Sequence, residues 1–259
     1  YLLSSLNQRP DLTFEEIQDR LHSSRGTLVS ISTIARTFQR SSYSRKQLSR
    51  YALEASAEAR ANFILTVGGE EYSTEQFVCV DETGCTRNTT KRRWGWSPIG
   101  IRAFYGEYSV RGERYTLLPA LSLDGVLHLD IFCCSVNSDL FDLFIMRLLD
   151  QMNPWPQRNS VIILDNASIH KSANIRAMVE ARGCRLLYLP AYSPDLNPIE
   201  QLFAWLKGRV RKNSRLFFRS VAAADRAHRD DPYTRLQELV YQVTPEMAFG
   251  WFQHSGYVA

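Results

Sequence analysis

The sequence is poor in the residues that close a fold covalently or hold soft metals. Five cysteines (Cys79, Cys85, Cys133, Cys134, Cys184) make an odd count with no C-x-x-C spacing. That argues against a disulfide framework or a zinc knuckle, and it fits a reducing compartment. No apolar run reaches the ~18 residues of a membrane span, and no signal peptide is visible, so no membrane partner is expected. Internal repeats and low-complexity tracts are also missing. Net charge is only +4, so the total alone demands no polyanionic partner. The first residue is Tyr rather than Met, which leaves a fragment and a processed product both open.

What is present is an ordinary globular composition, 44% hydrophobic and 22% charged over 259 residues. That length suits one large domain with a small appendage. The charge is unevenly spread. Between Gln201 and Ser220 stand six basic residues (Lys207, Arg209, Arg211, Lys212, Arg215, Arg219) and no acidic one. Such a run is a solvated helix face unless an active site lies beside it.

Residues 1–50 read as short helices. "LTFEEIQDRL" has helical spacing, and "SRGTLVSISTIARTF" supplies a turn at Gly26 and a second helix capped by Ser30 or Ser32. Two helices around a glycine turn suggest a helix-turn-helix, with Ser32, Thr33 and Arg36 as DNA-contact candidates. A plain helical bundle is the alternative. Residues 51–73 read as a helical linker and 74–259 as the main domain with C-terminal helices. In that domain "QFVCV", "RYTLLPALSLDGVLHLDIFCC", "SVIILD" and "CRLLYLP" read as strands, and "NSDLFDLFIMRLLDQM" and "KSANIRAMVEARG" as helices. Pro119 should make its strand an edge or bulged one. The pattern predicts an α/β domain: a mixed sheet flanked by helices, preceded by a small all-α segment.

Three carboxylates fall at element ends. Asp81 follows the strand "FVCV" and Asp165 follows "VIIL". Such positions sit where open α/β sheets place ligands. In "NPIE", Asn197 fits an N-cap, Pro198 the first helical position and Glu200 the third. The plain alternative for Glu200 is a capping box with the Asn197 N–H. Converging carboxylates without a His or Cys cluster suit hard cations such as Mg²⁺. Two such ions can drive phosphodiester displacement. A paired-carboxylate glycosidase is the rival chemistry, but it needs no basic strip behind the site.

"VCVDETG", "ILDNASIHKS" and "LPAYSPDLNPIEQLFAWLKG" together closely resemble the catalytic core of Tc/mariner-superfamily DNA transposases, with the 34-residue interval between Asp165 and Glu200 of the Tc-like branch. "VSISTIARTF" resembles part of the family's DNA-binding region, and "WGWSPIG" a segment after the first strand. The closing "GWFQHSGY" is similar to the end of fungal members. The resemblance implies a DDE-type, RNase H-like fold and a homodimer acting on double-stranded DNA, both transposon terminal inverted repeats and target. It implies Asp81, Asp165 and Glu200 as catalytic residues and ligands of two Mg²⁺ or Mn²⁺ ions. It implies a nuclear location if the source is eukaryotic. Asn166 and His170 would shape the site or brace its loop. Lys207, Arg209, Arg211 and Lys212 would touch DNA, and Trp94 and Trp96 would pack. Strand alternation turns Glu82 to the face opposite Asp81. The family carries two helix-turn-helix units upstream, and about one is present here. A non-mobile, host-adopted DNA-binding remnant and an RNase H-like nuclease acting on other nucleic acids remain open beside the transposase.

Overall fold

The computed structural model describes residues 1–46, 48, 52, 54–92, 94–104, 114–167, 170, 172–213 and 232–258. Arg215 and Arg219 of the basic run lie outside these residues. The chain divides into two compact units, Tyr1–Leu53 and Glu54–Ala259.

The smaller unit holds α1 (Leu2–Gln8), α2 (Phe14–Arg25) and α3 (Ile31–Arg40). Thr13 and Glu16 close a capping box at the start of α2, with hydrogen bonds of 3.3 and 2.7 Å. Gly26 ends that helix in the left-handed region at φ 64°, where a Cβ would be costly. Ser30, not Ser32, caps α3 by accepting from the Thr33 N–H. Ile17, Ile34 and Phe38 form the small core, joined by Leu2, Leu3, Leu6, Leu12 and Val29. This is the helix pair around a glycine turn that the sequence indicated.

The larger unit runs α4 (Ala57–Val67), β1 (Phe77–Val80), β2 (Thr83–Cys85), β3 (Tyr115–Ser122), β4 (Gly125–Phe132), α5 (Ser138–Leu149), β5 (Val161–Leu164), α6 (Ala173–Ala181), β6 (Arg185–Tyr188), α7 (Ile199–Lys212), α8 (Pro232–Val240) and α9 (Pro245–His254). The strands make one mixed sheet. β1, β5 and β6 are parallel, while β3 pairs antiparallel with β1, β2 and β4.

Alternation along β1 and β5 sorts side chains to two faces. Val78, Val80, Ile162 and Leu164 pack with Phe141, Phe144, Leu148, Ile175 and Val179 of α5 and α6. Phe77, Cys79, Val161 and Ile163 pack with Ile199, Leu202 and Phe203 of α7, Phe252 of α9 and Phe63 of α4. The helix expected as a linker therefore contributes to the core of the larger unit. A fully buried Phe or Leu in these layers contributes about 2–3 kcal/mol.

Pro119 lies in a bulged strand, one of the two outcomes expected of it, and the strand is not an edge. β4 occupies one side of β3, while β1 and β2 follow each other along the other. The strand is bulged, with a register shift between Ala120 and Leu121, but it is interior. Val80 pairs with Ala120 and Thr83 with Leu117, so β1 and β2 keep one register across a two-residue gap. The gap holds Asp81 and Glu82 and lies opposite Leu118 and Pro119. Proline has no N–H to donate there, so the ladder opens where the carboxylates leave it.

Candidate active site

The geometry of the site follows from register. Val80 pairs with Leu164 in the parallel ladder, so Asp81 and Asp165 are the next residues on adjacent strands. Parallel neighbours lie about 4.8 Å apart. Alternation sends both aspartates to the face that α7 covers, and α7 brings Glu200 in its first turn. Asp81, Asp165 and Glu200 line one cleft of about 410 Å³ together with Asn166, Asn197 and the 189–194 loop.

That loop is braced from both ends of the unit. Arg60 of α4 makes a two-pronged ion pair with Asp195, at 2.9 and 2.6 Å. The Tyr257 hydroxyl donates to the Leu196 carbonyl at 2.9 Å. Within the loop, Tyr192 lines the cleft in the left-handed region at φ 58°, a conformation costly for a residue with a Cβ.

The capping box weighed for Glu200 does not form. Asn197 has an extended backbone but caps nothing with its side chain. Its amide instead donates to Asp81 Oδ2 at 3.3 Å, and its Oδ1 is buried with no partner. Glu200 is left facing the cleft.

Electrostatics mark the cleft as a place that disfavours its own charge. Burial, then the Asp165 charge, push the Asp81 carboxyl up to about 7, and Glu82 and Glu200 add to it against the Glu82 N–H bond. Glu200 is also raised, by burial and Asp165, with Lys207 opposing. A divalent cation would relieve this repulsion. Three carboxylates and an unpartnered buried amide oxygen form an all-oxygen donor set that fits a hard ion. Among the described residues no three His, Cys, Asp or Glu groups close into a metal cage.

His170 is fully buried behind Asp165. Its Nδ1 lies 2.5 Å from Asp165 Oδ1 and its Nε2 3.2 Å from Glu82 Oε2. Its ring stacks on Phe141 at 4.3 Å, and its carbonyl accepts from the Tyr188 hydroxyl at 2.9 Å. Burial works against its charge, but the two carboxylates outweigh it and raise the imidazole to about 9. Glu82, set aside by alternation, reaches the site through His170. Neither that pairing nor the Asn197–Asp81 bond had a signal in the sequence beyond proximity to the motifs.

The other candidates divide. Asn166 is exposed at the cleft wall. Lys207 lies within electrostatic reach of Glu200 and over Phe203. The Arg209 guanidinium sits over Trp205 at 5.4 Å. Arg211 and Lys212 border a second hollow with Lys91, Arg92 and Trp94. Trp94 and Trp96, expected to pack, are 84% and 102% exposed. In the smaller unit Ser32, Thr33 and Arg36 are exposed on α3, with both hydroxyls bonded to that of Ser30.

Comparison with known proteins matches this architecture. The family described as DDE superfamily endonuclease covers residues 76–221, more than half of the chain. The Transposable element Tc1 transposase of Caenorhabditis elegans is 40% identical over 63 residues, 23% of this chain and 23% of that protein. That relative is a nematode protein and lends no support to the fungal source that the closing segment suggested. The Mos1 mariner paired-end complex with Mn superposes with a TM-score of 0.70 at 16% identity, covering 98% of this chain and 73% of that one. The Mos1 strand transfer complex gives 0.63 at 19% identity, covering 98% and 77%. These likenesses bear out the fold read from the motifs, and the family match places all three carboxylates inside its span. The chain belongs to the DDE superfamily endonucleases, with Tc1 and mariner transposases as its matched relatives.

Proposed function

We propose that this protein is a Tc/mariner-type DNA transposase, which cleaves phosphodiester bonds at transposon ends and joins the freed 3′-hydroxyl to target DNA. The observation that carries the reading is the in-register exit of Asp81 and Asp165 from neighbouring strands, facing Glu200 at the start of α7. Those three side chains would hold two Mg²⁺ or Mn²⁺ ions, and Mos1 structures with Mn and with Mg support that choice. Bound there, the ions would supply an activated water or hydroxyl and stabilise the leaving oxygen. Asp81 and Asp165 face the reacting phosphate from the sheet, and Glu200 faces it from the helix. His170 and Asn197 fix the rotamers of the two aspartates from behind. The basic end of α7 holds flanking phosphates, and Ser32, Thr33 and Arg36 of α3 contact the duplex. Paired-end complexes of Mos1 support a homodimer working on two ends, in the nucleus of a eukaryotic host.

The test is nicking of DNA that carries the repeats flanking the reading frame, in Mg²⁺ or Mn²⁺. The wild type cuts, and Asp165→Asn, folded by circular dichroism, does not. Equal nicking by both proteins would reject the reading. Preferential cleavage of RNA–DNA hybrids would replace it with a nuclease of other specificity.

A further inference from the structure

Tyr192 lines the same cleft as Asp81, Asp165 and Glu200, yet it is 62% exposed. Among the described residues its hydroxyl has no hydrogen-bond partner and its ring has no aromatic or cationic neighbour. Its backbone lies at φ 58°, in the left-handed region that glycine enters freely and a residue with a Cβ enters at a cost. The surroundings hold it there. Pro190 and Pro194 fix φ two residues to either side. The Ser193 hydroxyl donates to the Ala191 carbonyl at 3.3 Å, spanning Tyr192. Ser193 is itself buried, and Asp195 beyond it is gripped by Arg60. The fold thus bears strain at a residue whose ring it leaves uncovered beside the carboxylates. Such strain gathers where a side chain must be presented to a ligand.

We propose that the Tyr192 ring stacks on the outer face of the last base of a cleaved DNA end, and so holds that end's 3′-hydroxyl in the cleft for joining. The assignment rests on the transposase reading and deepens its joining step. In a continuous duplex every base is covered above and below by its neighbours, so a protein ring finds no face to stack on. Cleavage removes one neighbour and bares the outer face of the terminal base. The attacking 3′-hydroxyl belongs to that same nucleotide. With the hydroxyl at the carboxylates, the base lies within one nucleotide of them, beside the wall that carries Tyr192. Every base has a π face, so the contact works at any terminal sequence. A tyrosine ring covers such a face while its hydroxyl stays in water. Tyr192 makes and breaks no bond. In joining, the 3′-oxygen bonds to the target phosphorus, and the bond from that phosphorus to the 3′-oxygen of the target strand breaks. The attacking hydroxyl gives up its proton and the departing oxygen takes one up. The ring supplies orientation, which a strained and rigidly held backbone provides in advance.

The experiment compares two reactions of the full chain in Mg²⁺: nicking of uncut duplex that carries the repeats, and joining of a precleaved end to a target duplex. Tyr192→Ala should slow joining by about 5–100-fold, the range that one stacked base contributes, and slow nicking little. Tyr192→Phe keeps the ring and should join like the wild type. Alanine carries the same Cβ as tyrosine, so its backbone strain and melting temperature should match the wild type. Tyr192→Gly removes the strain, so it should melt no lower than the wild type and still join as poorly as alanine. A second readout needs no reaction. An end whose last base is 2-aminopurine and which lacks the 3′-hydroxyl should lose fluorescence on binding the wild type or Tyr192→Phe, and keep it on binding Tyr192→Ala. Undiminished joining by Tyr192→Ala overturns the proposal, as does equal quenching by that variant and the wild type. Equal slowing of nicking and joining overturns it too, because the ring would then act on uncut DNA or on the cleft itself. A lower melting temperature in Tyr192→Gly would make the ring a packing residue. A wild type that neither nicks nor joins would remove the transposase reading, whereas an active wild type with an unaltered Tyr192→Ala removes only this inference.

Discussion

The acidic cleft and the basic run lie at opposite ends of one helix, and they carry their charge in opposite ways. Glu200 stands in the first turn of α7, and Arg209, Arg211 and Lys212 stand in the last. Both placements agree with the helix dipole, each favourable by about 0.3–1 kcal/mol, so the helix itself tolerates this polarity. The cleft does not. Asp81 is pressed against Asp165 in a dry position, and its ionised form is disfavoured until a cation arrives. The cations at the other end of α7 are exposed, so they cost the fold little. One region stores unfavourable charge for a metal, and the other displays affordable charge for a polyanion.

Asp81→Asn breaks the first half of this comparison most severely. Cleavage should fall about 10³-fold or more, the scale of removing one group that stabilises transition-state charge. The metal-free protein should nonetheless melt no lower than wild type, because a buried like-charge contact is gone. The new amide can keep the Glu82 N–H bond, and Asn197 can turn its unpartnered Oδ1 toward it. Nicking assays and thermal melts in EDTA check both statements. A large loss of stability would make Asp81 a structural residue.

His170 is the counterpart whose removal should hurt the fold. His170→Ala loses two hydrogen bonds to carboxylates and a stacked ring, and opens a cavity beside Phe141. Denaturant titration should show a loss of about 2–4 kcal/mol. The same two residues set the pH response of the metal-free protein. Asp81 is raised from 3.8 to about 7, and His170 from 6.5 to about 9. In both, the folded state holds its proton more tightly than the unfolded chain. Their contribution is fully present below about pH 4 for Asp81 and below 6.5 for His170. It is lost as pH rises to about 7 and to about 9 respectively. Melting temperature should therefore fall in two stages between those limits. Saturating Mn²⁺ should remove the first stage, as should Asp81→Asn.

Much of this site was legible because backbone rules place it. Apolar runs of four residues just before Asp81 and Asp165 locate strand ends, and Pro198 locates a helix start, so local pattern puts the three carboxylates at element ends, while their joint role comes from the family resemblance. The parallel register that sets the two aspartates side by side could not, since sequence alone does not say which strands pair. Pro119 signalled its bulged strand, but not that its missing N–H falls at a gap between two short strands inside the sheet. Asn197 read as a cap because Asn before Pro usually is one, but its amide turned to Asp81 across 116 residues. Trp94 and Trp96, expected to pack, stand 84% and 102% exposed. Long-range contacts of this kind leave no periodic trace.

The smallest effect falls at the basic end of α7. Gly208 lies in the interior of α7, where glycine costs about 0.5–1 kcal/mol relative to alanine. Nothing lies within 4 Å of the added methyl group, so no clash offsets the gain. Gly208→Ala should therefore stabilise the protein by about 0.5–1 kcal/mol in denaturant titration. A destabilised Gly208→Ala would mean that this turn needs glycine for its own backbone.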